Sequence, residues 1–197
     1  CETGYFSVED LNKLLGAIQN SPLKAKVHVN QFSTLGGVAA CVEHGALSVD
    51  HLEELSDDDL AALKTTLERN KQPVFSVALP GCSHFLGIPF TPVRRLMDAG
   101  LPVALASDHN PGSAPSGNMT LVVQLAIIKM GMLPLEAIAA ATINGAAAME
   151  LSHEVGVIAP GWRANLLITK PLNGLEQIGY RFGENPVEKV LINGVQR

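Results

Sequence analysis

The chain has 197 residues, enough for one domain with a large buried core. Apolar residues make up 47% and charged residues 17%, with a net charge of −5, which is the composition of a soluble globular protein. The basic residues do not cluster and no apolar run reaches the length of a spanning helix, so nucleic acid and membrane are not expected as partners.

Ser7-Val8-Glu9-Asp10 has the form of a capping box and predicts a helix through about Gln19. A short strand follows at Lys24–His28. Gly36–His44 carries apolar residues on a helical period that Gly45 stops, and Ala46–His51 is strand-like. Ser56 with Asp57, Asp58 and Asp59 caps and charges a helix running to about Asn70. Pro73–Leu79 is a buried strand whose trace continues past Pro80 to His84. Thr91-Pro92 opens a helix ending at Gly100, and Pro102–Ser107 is again a buried strand. Two helices are expected next, at about Asn118–Met130 and Pro134–Glu150.

Apolar strands alternating with helices imply an α/β fold with a parallel sheet covered on both faces. Two architectures fit, an open doubly wound sheet and part of a (β/α)8 barrel. A phosphate-cradling GxGxxG loop is absent. From Gly156 the pattern changes to alternating apolar and polar residues around Pro160-Gly161 and Asn193-Gly194. The expected division is a barrel-like body over residues 1–153 and a small β portion over residues 154–197.

Cys1, Cys41 and Cys82 are odd in number and fit no zinc spacing, so they read as reduced thiols of a cytoplasmic protein. Cys41 lies in an apolar stretch and is expected to be buried. No base stands beside Cys82 in sequence.

In α/β folds of this kind active sites gather at the C-terminal ends of strands. The strand ends deliver His28, His51, His84 and Asp108. Imidazole and carboxylate are ligands for zinc and non-haem iron, and a hydrolytic site needs neutral His, anionic Asp and a place for water. His28 and Asp108 meet the ligand requirement. His51 is either a ligand or a proton shuttle, since imidazole titrates near neutrality. His84 is undecided, His44 favours a helix C-terminus, His109 alternates to the far side of its strand, and His153 lies in a polar linker.

Five blocks now make a resemblance specific: KVHVNQFSTLGGVAA, GALSVDHLEELSDDDL, VALASDHNPGSAPSGNM, AIAAATINGAAAMEL and GVIAPGWRANLLI. In this order they resemble the imidazolonepropionase family of the amidohydrolase superfamily, over essentially the whole chain. SDHNPGS is the most specific block. The resemblance implies strands five to eight of a (β/α)8 barrel plus part of a β-sandwich. It implies a zinc or iron cofactor and hydrolysis of a cyclic amide C–N bond, 4-imidazolone-5-propanoate giving N-formimidoyl-L-glutamate in histidine degradation.

By the same resemblance His28 and Asp108 are metal ligands, His51 and Asp108 manage the water's proton, and Gln31, Asn110, Gly112 and Ser113 contact substrate. Gln31 stands where many family members have Glu, and Gln accepts no proton. The family's first-strand His-x-His pair is not in this sequence, nor are the Arg and Tyr residues that grip the substrate carboxylate. The partners implied are a small-molecule substrate, the remaining N-terminal half of the enzyme, and a second copy in a homodimer. By itself the chain is expected to be inactive. The alternatives are another cyclic amidohydrolase or deaminase of the superfamily, and a non-catalytic structural α/β segment.

Overall fold

A computed structural model describes residues 1–68 and 73–197. Its elements run α1 (Val8–Ile18), β1 (Lys26–Val29), α2 (Gly37–His44), β2 (Ser48–His51), α3 (Asp57–Glu68), β3 (Phe75–Ala78), α4 (Pro80–Leu86), α5 (Val93–Asp98) and β4 (Val103–Leu105). They continue with α6 (Met119–Met130), α7 (Pro134–Ala141), α8 (Ile143–Ala148), β5 (Leu166–Thr169), α9 (Glu176–Tyr180), β6 (Val187–Ile192) and β7 (Val195–Gln196). No helix among the described residues is long and apolar enough to cross a membrane.

Strands β1 to β4 form one parallel sheet in sequence order, and β5 to β7 form a separate antiparallel sheet. An α/β body with a parallel sheet is therefore present, followed by a small β portion. Sequence order within a parallel sheet requires each connection to cross the same face, which is how barrel strands succeed one another.

The sheet has two unlike faces. Val29, Val49, Ala78, Val103 and Leu105 belong to the main apolar cluster, with Val38, Leu63, Leu96 and Val122 from the helices. The opposite face is built row by row. Lys26 lies opposite Ser48, and Ser48 opposite Phe75. His28 lies opposite Asp50, Asp50 opposite Val77, and Val77 opposite Ala104. This face is thus polar on β1 and β2 and apolar on β3 and β4, where Phe75, Val77 and Ala104 cluster with Cys82, Ala114 and Ala148. Burying each large apolar side chain stabilises the fold by ~1.5–3 kcal/mol.

The caps follow the sequence. Ser7 and Asp10 form the reciprocal box of α1. Ser56 and Asp59 do the same for α3. Gly45 ends α2 in the left-handed region at φ 69°. The expected end of α3 at Asn70 lies outside the described residues.

Three readings need correction. The β3 trace does not continue to His84: it ends at Ala78, and α4 starts at Pro80. Proline suits a first helical turn, where its missing N–H has no partner to lose, and His84 is therefore an exposed helical residue. The long helix expected over Pro134–Glu150 breaks at Thr142 (φ −123°, ψ −80°) into α7 and α8. Pro160-Gly161 is the expected turn, but the alternation on its two sides does not make two strands: only Leu166–Thr169 pairs. Helix α9 was not anticipated. Buried Gln124 of α6 holds the segment after it, donating to Arg181 and Glu184 carbonyls and accepting from Gly183 N–H.

Candidate active site at the strand ends

The C-terminal ends of β1, β2 and β4 carry the candidate residues. His28 stands on the polar face, one residue before the end of β1. Asp108 follows β4 by three residues, on the parity of Ala104. Alternation would send His51 to the helix side with Val49. Yet its ring meets that of His28, centroids 4.3 Å apart and planes at 65°. His51 departs from alternation because its backbone is left-handed, φ 90°, followed by Leu52 at 64°.

Positive φ in non-glycine residues is concentrated here: Asn30 (57°), His51, Leu52 and Asp108 (52°). Such backbones cost of order 1–3 kcal/mol each and persist where the surroundings hold them. The surroundings are visible. Thr91 Oγ1 donates to the His51 carbonyl at 2.6 Å. The Asn30 amide donates to the Glu54 carbonyl and to Asp59, each at 2.9 Å.

The electrostatics record how close the groups lie. Burial and then His51 lower the His28 imidazole below its ordinary value, against upward pulls from Glu2 and Asp108. His28 is accordingly neutral at pH 7, the form that binds a metal. Burial pushes the Asp50 carboxyl up, opposed by the Ser48 hydrogen bond, with Asp108 adding to the rise. Burial also raises the Cys82 thiol.

The remaining candidates divide. Gln31 is buried, and its amide donates to Cys82 Sγ at 3.2 Å. Asn110, Gly112 and Ser113 form one self-braced turn after Asp108. Asn110 Oδ1 accepts from both Gly112 and Ser113 N–H, and Asn110 Nδ2 donates to the Asp108 carbonyl. His109 is exposed. His44 ties α2 to α1 through Gln19 and Asn12. His153 pairs with Glu154 at the surface.

Two carboxylates escaped the sequence reading. Glu2 is buried, lies 3.5 Å from His28 Nε2, and accepts from Gln31 and Phe32 N–H and from Ser33 Oγ. Glu53 is buried beside His51. Only tertiary contacts bury them, so no local pattern marked either; the strand-end position two residues after His51 was the one available signal for Glu53.

A neutral imidazole and a carboxylate are the donor types of zinc and iron sites. His28 and Asp108 are residues of these two types. Among the described residues no group of three or more His, Cys, Asp or Glu side chains is placed to hold a metal ion.

Comparisons with known proteins identify the family. The model of the Amidohydrolase family matches residues 13–197. Imidazolonepropionase of Christiangramia forsetii is 55% identical over 194 residues, covering 98% of this chain and 46% of that protein. The same-named protein of Geobacillus kaustophilus is 41% identical, covering 98% and 44%. The chain thus spans about half the length of these relatives. Among solved structures, a zinc-bound adenosine deaminase from Xanthomonas campestris superposes with TM-score 0.76 at 19% identity, over 96% of this chain and 48% of that one. Guanine deaminase of E. coli gives 0.72 at 15% identity, over 98% and 52%. At these identities the structures establish a shared fold.

Proposed function

The chain belongs to the amidohydrolase family, and from that premise we propose that it forms strands five to eight of a (β/α)8 barrel in an imidazolonepropionase. In this reading residues 1–153 belong to the barrel and 154–197 to the appended β portion. The full-length protein hydrolyses the cyclic amide C–N bond of 4-imidazolone-5-propanoate to give N-formimidoyl-L-glutamate.

The observation that carries the reading is the meeting of His28 and His51 at one sheet rim, with the Asp108 charge acting on His28. It occurs in a chain 55% identical to proteins of that name.

His28 and Asp108 would hold a zinc or iron ion together with donors from the rest of the protein. Such an ion, when bound, would supply Lewis acidity to the hydrolysis. His51 accepts and returns the proton that moves between water and the ring nitrogen, a role for which its buried place beside His28 at the strand ends suits it. Asp108 provides a second proton acceptor. Gln31 hydrogen-bonds the ring, and the turn from Asn110 to Ser113 shapes the edge of the substrate site. Its internal hydrogen bonds keep that edge rigid before substrate arrives.

The test is direct. Full-length protein, stripped by a chelator and reconstituted with zinc or iron, is offered the imidazolone. Loss of the substrate's ultraviolet band with formation of formimidoylglutamate, dependent on metal, is the expected result. Turnover of a purine or another cyclic amide in preference to the imidazolone overturns the substrate assignment.

A further inference from the structure

Glu53 lies between β2 and α3, and its side chain is 1% exposed. One carboxylate oxygen is accounted for: Oε1 accepts from Ser83 Oγ of α4 at 2.8 Å, and Ser83 is itself buried. The other is not. Oε2 is sealed from solvent and accepts no hydrogen bond among the described residues. The same is true of His51 Nδ1, and these two orphaned atoms face each other at 3.5 Å.

A buried carboxylate oxygen without a donor costs ~1–3 kcal/mol or more. A buried ring nitrogen without a partner carries a similar penalty. One proton relieves both: placed on Nδ1, it points at Oε2 and needs only a few tenths of an ångström of closure to make a charge-assisted bond. A proton on Nε2 instead would leave two acceptors, Nδ1 and Oε2, confronting each other.

Glu2 beside His28 is a different case. It already receives Gln31 and Phe32 N–H and Ser33 Oγ, so it braces the loop after β1 and has no unmet demand on the imidazole.

We propose that Glu53 is a positioning residue for His51, fixing the imidazole as its Nδ1–H tautomer and leaving Nε2 as the basic nitrogen. Ser83 holds the carboxylate, and Thr91 holds the His51 backbone from the other side. The assignment of Nε2 to proton transfer rests on the hydrolase reading above. The tautomer itself does not.

The experiment uses full-length protein with 15N-labelled histidine, and His51→Asn to assign the His51 resonances. Long-range 15N–1H spectra of the wild type are expected to show the Nδ1–H tautomer. In Glu53→Gln that preference is lost, and kcat for the imidazolone falls about 10–100-fold with KM within twofold and bound metal unchanged, as is typical for groups behind a working side chain. Glu53→Asp recovers part of the kcat. An Nε2–H tautomer in the wild type, or an unaltered His51 spectrum in folded Glu53→Gln, overturns the proposal. Should wild-type protein fail to hydrolyse the imidazolone, the functional reading falls while the tautomer spectra still decide this one.

Discussion

The imidazole of His51 stands edge-on to that of His28, ring centroids 4.3 Å apart, although strand alternation assigns the two residues to opposite faces. The contact separates their roles. His28 is half-exposed on the polar face, whereas His51 is buried and backed by a carboxylate. In the full-length protein, His51→Asn is expected to lower kcat by at least 10²-fold with metal content intact, the scale of a lost general acid–base group. His28→Asn should lose metal. Metal analysis alongside the hydrolysis assay separates the outcomes; metal loss in His51→Asn would make it a ligand, and unchanged turnover would remove it from the mechanism.

Much of this arrangement is legible in the sequence. The parity of Ala104, Ala106 and Asp108 points Asp108 to the side of Val77, and the apolar runs give each parallel strand. What is not legible depends on contacts far apart in the chain. Glu53 is buried by Ser83 and Glu2 by residues 31–33, partners that no local window contains. The left-handed turn at His51 carries no glycine to announce it. The helix at Pro80 was signalled by its proline and hidden by the apolar run before it. Around Pro160 alternation imitated a strand, because periodicity registers side-chain polarity and says nothing of a pairing partner.

Gln31 gives a sharper test of the chemistry. Its amide donates to Cys82 Sγ, and an ionised Glu could not. Gln31→Glu would also set an anion beside a buried thiol. If the position reads the ring by hydrogen bonding, turnover in Gln31→Glu should stay within about tenfold of the wild type. A gain of several hundred-fold would identify a missing proton-transfer group, since such groups contribute 10²–10⁴-fold.

The thiols should react unequally. Burial raises Cys41 to about 12, and it raises Cys82 as well. The thiolate is the reactive form. At pH 8 iodoacetamide should therefore spare both in the folded protein and modify both after denaturation, read by mass spectrometry of the peptides. Rapid modification of Cys82 in the native state would indicate an open or activated site.

Arg94 of α5 and Glu136 of α7 make a paired contact, the nearer oxygen 2.9 Å from Nη1. The Arg94 hydrogen bond, then that of Leu133 N–H, lowers the Glu136 carboxyl below its usual value. A lowered folded pKa means the contribution is present above the unfolded value and is lost as pH falls through the folded one. A double-mutant cycle of Arg94→Ala and Glu136→Ala by urea unfolding should show coupling at pH 7 that fades below about pH 4. Coupling that persists undiminished in strong acid would show that packing, not charge, joins the helices.

Asp59 links a helix start to the site. Its Oδ2 accepts from Ser56 N–H and Oγ at 3.0 and 2.6 Å, and from the Asn30 amide at 2.9 Å. Asn30 is 1% exposed and left-handed, directly between β1 and Gln31. Removing the carboxylate strips the cap of α3 and one of two partners of a buried amide. Hydrogen bonds to a charged group contribute about 1.5–3 kcal/mol and a cap about 1, so Asp59→Ala should destabilise by about 2–4 kcal/mol in urea unfolding. Asp59→Asn, which keeps an acceptor oxygen, should cost clearly less. Because Asn30 sets the direction in which the chain leaves β1, Asp59→Ala should also shift the side-chain resonances of Gln31 and His28. Destabilisation below about 0.5 kcal/mol, the range of an ordinary surface substitution, would mean that Asn30 holds its backbone without Asp59.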